Sequence, residues 1–62
     1  MEQSTKKIER RLKKDGWYLD RNGANHDIYR HPTIPGIVTL PRHPKLSPGV
    51  VKSIAKKAGW PE

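Results

Sequence analysis

Three histidines, His26, His31 and His43, are the only side chains in the sequence that titrate near neutral pH, so acid–base chemistry points to them first. His26 stands where a turn rich in glycine and asparagine, Asn22-Gly23-Ala24-Asn25, gives way to an extended segment, while His31 precedes Pro32 and His43 precedes Pro44. Their separations of five and twelve residues match no helix-borne zinc motif, and the chain has no cysteine, so the expectation is neither a metal site nor a cofactor. Asp20 and Asp27 lie close to the same hairpin and either would be placed to orient His26, although aspartates at turns and strand edges are commonly just solvated. On residue types alone, a lone histidine is more often a hydrogen-bonded structural group than a catalyst. No serine sits in a nucleophile elbow, no phosphate-binding loop carries a lysine, and no pair of carboxylates is spaced for glycoside cleavage.

What remains is a histidine beside cations, and that combination suits one reaction well. Cleaving RNA through its own 2′-hydroxyl needs a group to take that proton, a group to protonate the leaving 5′-oxygen, and cations for the charged phosphorane. It needs no metal. His26 fits the acid or the base, and Arg30, Arg42 and Lys45 fit the phosphate, arginine through its bidentate fork. Gly23, Asn25 and His43 complete the expected RNA contacts. The same residues also suit a module that binds RNA by phosphate and 2′-hydroxyl contacts without cutting it.

The balance of thirteen Lys and Arg against six Asp and Glu, a formal charge of +7, makes a nucleic-acid partner a sensible first expectation. Sixty-two residues allow one domain, expected over residues 1–62, and a chain of that length buries only about 60% of its unfolded surface. With 32% apolar residues the core must be thin. The absence of cysteine rules out a disulfide framework and suits a reducing cytoplasm. Met1 to Lys14 contains no apolar run, so neither a signal peptide nor a membrane span is expected.

Short elements must position these groups. Ser4 or Thr5 followed by Ile8 and Leu12, with Gly16 beyond, predicts a helix over about 5–14, whose other face is Lys6, Lys7, Arg10, Arg11, Lys13 and Lys14. Trp17 to Arg21 reads as a strand with Trp17 and Leu19 inward and Tyr18 and Asp20 outward. The residue types at Gly23 and its neighbouring asparagines tolerate positive φ, so a tight connection there joins this strand to a second, Asp27 to His31, as an antiparallel hairpin. Pro32 to Gly36 is a turn, and Ile37 to Leu40 is a third strand closed by Pro41. After a basic loop over Arg42 to Leu46, Ser47-Pro48 opens a second helix whose stripe is Val50, Val51, Ile54, Ala55 and Ala58, and Gly59 with Pro61 ends it. The expected fold is α+β, an α-β-β-β-α two-layer sandwich with both helices on one face of a three-stranded antiparallel sheet.

Element order and local motifs together resemble the HicA toxin family. The resemblance is carried by Lys14-Asp15-Gly16-Trp17, Gly23-Ala24-Asn25-His26, Arg30-His31-Pro32, Val38-Thr39-Leu40-Pro41, His43-Pro44 and Ile54-Ala55-Lys56-Lys57-Ala58-Gly59, and covers nearly the whole chain. It implies a double-stranded-RNA-binding-domain-like fold, an mRNA interferase that halts translation, and neutralisation by a HicB antitoxin from the same operon. It also implies that the histidine after the glycine turn, His26 here, is catalytic. Many members carry serine in that turn, whereas this chain has Ala24 and Asn25, so a hydroxyl is missing and Asn25 supplies an amide instead.

Overall fold

The computed structural model describes residues 4–61; residues 1–3 and 62, at which the expected domain begins and ends, lie outside the described residues. The chain runs α1 (Thr5–Lys14), β1 (Tyr18–Asn22), β2 (His26–Arg30), β3 (Val38–Pro41) and α2 (Pro48–Ala58). The three strands form an antiparallel sheet in the order β1-β2-β3. Ile8 and Leu12 of α1, Val51, Ile54 and Ala58 of α2, and Tyr29, Val38 and Leu40 of the sheet share one buried cluster with Trp17 and Leu46. Both helices therefore cover the same face, and the other face is left uncovered, as expected for a two-layer solution. Among the described residues no helix is long and apolar enough to cross a membrane.

Each boundary has a local cause. Ser47 is extended and its hydroxyl accepts from the Val50 amide at 3.3 Å, Pro48 occupies the first turn, and Gly59 closes α2 in the left-handed region at φ 77°. Gly16, at φ 100°, turns the chain from α1 into β1. Pro41 is the last residue of β3, an edge strand, where its missing donor costs no ladder bond.

The face assignment of β1 needs one correction. Leu19 was expected inward, yet it is 46% exposed. It lies opposite Tyr29, a core residue, and so points toward the helix side, but the principal helix packing falls on β3, at the far edge of the sheet. Side-chain parity was right and coverage was missing. Between Leu19 and Arg21 the register shifts, so Asp20, outward by alternation as expected, is an extra residue in β1 and Arg21 falls opposite Ile28 on the same uncovered face; the Asp20 carboxylate lies 3.2 Å from Arg30 Nε.

Tyr29 ties the layers together, because its hydroxyl donates to Glu9 Oε2 on α1 at 3.0 Å. Burial, then the Glu9 hydrogen bond and the negative charges of Glu9 and Asp27, push the phenol up from its ordinary 10 to about 12. A raised folded value means that the neutral phenol is favoured in the fold, so this contribution is complete below pH 10 and is lost as pH rises through 12. In urea titrations at about pH 9 and about pH 11.5, the wild type should lose more stability than Tyr29→Phe, which has no phenol to ionise. Equal losses in the two proteins would contradict the assignment.

Candidate functional site

The β1–β2 connection and the C-terminal end of β3 meet at one end of the sheet, because His26 pairs with Pro41 and Asp27 with Leu40. A single bond closes the connection, from the Gly23 amide to the His26 carbonyl at 2.7 Å. Positive φ, permitted by the residue types here, is not used: among the described residues it occurs only at Gly16, Gly36 and Gly59. Gly23 serves a different purpose. A Cβ built on it would stand 2.9 Å from His26 Nε2 and 2.9 Å from the His26 carbonyl oxygen, so the imidazole lies directly against the glycine. His26 is half-buried, and its ring forms no hydrogen bond with the described residues.

His31 is a contrasting case. Its Nδ1 accepts from the amides of Thr33 at 3.1 Å and Ile34 at 3.2 Å, which places the ring proton on Nε2, where it donates to the Asp15 carbonyl at 2.8 Å. The ring also meets Trp17 edge-on at 5.2 Å. His31 lies beyond the last residue of β2 and welds the end of α1 to the β2–β3 loop. Its nitrogens are consumed by structure.

His43 and Lys45 have exposed side chains in the loop after β3. That loop is held by the start of α1: the Thr5 amide donates to the Pro44 carbonyl at 3.2 Å, the Thr5 hydroxyl donates to the His43 carbonyl, and Ser4 bridges Lys45. Between loop, α1 and β2 lies an open cleft of about 330 Å³ lined by Lys6, Glu9, Asp27, Arg42 and His43 among others. Arg42 turns back toward the hairpin. Its Nε and Nη2 donate to Asp27 Oδ1 at 3.0 and 2.8 Å, its Nη2 also reaches the Gly23 carbonyl at 3.1 Å, and its amide donates to the Asn25 carbonyl at 3.1 Å.

Of the residues expected at the site, Gly23, Asn25, His26, Arg42, His43 and Lys45 therefore belong to one end of the molecule. Arg30 does not. It shares the uncovered face with His26, but four strand residues place it about 13 Å away, and it is paired with Asp20. Asp27, considered from the sequence only as a group to orient His26, is instead the partner of Arg42. Only the β2–β3 register brings it beside Arg42, fifteen positions away, and no local motif signals that pairing. A second cationic surface runs along α1, where Lys7, Arg10, Arg11 and Lys14 line a groove. Arg11 there lies 4.2 Å from the centre of the Trp60 ring, and Trp60 Nε1 donates to Asp15. Among the described residues, no three His, Cys, Asp or Glu side chains gather as a metal site.

Fold and site define a small basic α-β-β-β-α domain with a half-buried histidine, His26, held against the Gly23 turn and without a ring hydrogen bond to the described residues. A family model described as HicA toxin of bacterial toxin-antitoxin matches residues 5–60, and the chain belongs to that family. It is accordingly the toxin component of a toxin–antitoxin pair, and an antitoxin is its partner. No curated protein matches the chain.

Proposed function

We propose that the protein is an mRNA interferase, a metal-independent endoribonuclease of the cytoplasm that blocks translation, with His26 as general acid or base and a HicB-like protein as its antitoxin. One observation carries the reading: of the histidines, His26 alone is both half-buried in a fixed place and without a hydrogen bond to the described residues, whereas His31 is consumed and His43 is exposed. In the reaction the 2′-oxygen attacks the adjacent phosphorus and its proton passes to the base, while the bond to the 5′-oxygen breaks and that oxygen takes a proton from the acid. The products are a 2′,3′-cyclic phosphate and a 5′-hydroxyl. His26 performs one of the two transfers. Gly23 and Asn25 shape the turn on which the RNA rests, Arg42 and His43 line the neighbouring cleft, and Lys45 is an exposed cation of the loop after β3. A strand running along β2 also passes Arg30. Four cations on α1 add a field that draws in RNA or an acidic antitoxin surface.

Incubating the purified protein with labelled mRNA in EDTA tests this. Cleavage that a HicB-like antitoxin suppresses is expected, whereas salt-sensitive binding with intact RNA after hours would make the chain a non-catalytic RNA-binding module. Gly23→Ala provides a second check. The added methyl has to displace the imidazole or the turn carbonyl, so cleavage should fall about 10- to 100-fold. Wild-type rates in that variant would show that the ring position against Gly23 is immaterial.

A further inference from the structure

Arg42 has the residue type of a phosphate ligand but the contacts of a brace. The Arg42 guanidinium is tied to two residues of the turn around His26, to the Gly23 carbonyl through Nη2 and to one Asp27 carboxylate oxygen through Nε and Nη2, while its backbone amide holds the Asn25 carbonyl. Gly23 is also the surface against which the His26 ring lies. We infer that Arg42, anchored by Asp27, is a positioning residue that fixes the Gly23 turn and through it the His26 imidazole. The inference rests on the reading of His26 as acid or base.

The chemistry of the pair favours a brace over a substrate clamp. A guanidinium whose Nε and Nη2 are committed to one carboxylate oxygen and a backbone carbonyl offers RNA a diminished fork, and the adjacent carboxylate repels phosphate. The Asp27 side chain is only 20% exposed, so the carboxylate is held near the turn and is not a freely solvated charge. The pair is too exposed on the arginine side, at 46%, for its main effect to be on overall stability. Its geometry acts on a neighbour instead. Lysine cannot replace it, because a single ammonium group does not span the Asp27 carboxylate and the Gly23 carbonyl in the same planar arrangement.

Opposite signs separate the two roles. Single-turnover cleavage of labelled mRNA and the Kd for an RNA with a 2′-deoxy scissile position are measured for Arg42→Lys, Arg42→Gln and Asp27→Asn, each first shown to melt cooperatively. A positioning role predicts that all three lose about 10- to 100-fold in cleavage rate while Kd changes less than about threefold. A phosphate-binding role predicts instead that Arg42→Lys cleaves normally and that Asp27→Asn, freed of a repelling charge, binds RNA more tightly and cuts at least as fast. Either of those results overturns the inference. An activity-free readout keeps it separate from the parent reading: the nuclear Overhauser contact between the His26 ring and the Gly23 α-protons should vanish in Arg42→Gln, and its persistence would also overturn the inference. Undiminished cleavage by His26→Ala would remove the catalytic reading while leaving that ring contact as a test of the brace.

Discussion

His26→Ala is expected to cleave mRNA about 10²- to 10⁴-fold more slowly than the wild type while its melting temperature stays nearly the same. The size of the kinetic effect follows from removing one positioned proton-transfer group, whose typical contribution spans that range. The small structural effect follows from the surroundings. The ring donates to and accepts from none of the described residues, so truncation leaves no buried partner unsatisfied. The ring lies against Gly23 and outside the buried core cluster, so removing the imidazole opens no core cavity. Single-turnover gel assays together with thermal melts check both halves. Wild-type cleavage would refute the assignment, and a variant that no longer melts cooperatively would show that the ring is structural.

His31→Ala has the opposite signature. Four hydrogen-bonding contacts at the two ring nitrogens, three of them sharing Nδ1, and an edge contact with Trp17 disappear together, a loss of about 2–3 kcal/mol. A domain of this size has about 3–9 kcal/mol in total, so the variant gives up a large share of its stability. The melting temperature should fall by about 8–24 °C. Whatever fraction remains folded at low temperature should still cleave RNA at a rate near that of the wild type, since His31 faces Asp15 and the β2–β3 loop and not the His26 turn. A drop of less than about 3 °C would contradict the structural role. Selective loss of cleavage without destabilisation would place His31 in the chemistry.

The sequence revealed most where one residue type has one physical use. Ser47-Pro48 and Gly59 bounded α2, the spacing of Ile8 and Leu12 defined the buried side of α1, and the strand-formers before Pro41 marked β3. Leu19 misled because alternation reports the direction of a side chain and says nothing of whether a helix lies above it. Gly23 was legible as a special position for the wrong reason: the backbone there needs no positive φ, and the constraint is space for a ring three residues on. Separating His26 from His31 required tertiary contacts. Both precede or follow turn residues in the sequence, yet one ring nitrogen of His31 meets two amides and the other a carbonyl from sixteen positions away. Arg42 and Asp27 were visible as charges, but their partnership depends on strand register, which single-residue signals do not encode.

Identifying the ends left on the RNA tests the central claim most directly. After cleavage by the purified toxin in EDTA, the account predicts fragments bearing a 2′,3′-cyclic phosphate on one side of each cut and a 5′-hydroxyl on the other, and no cutting of RNA with a 2′-deoxy residue at that position. Fragments ending in 3′-hydroxyl and 5′-phosphate, or cleavage that persists without the 2′-hydroxyl, would contradict it.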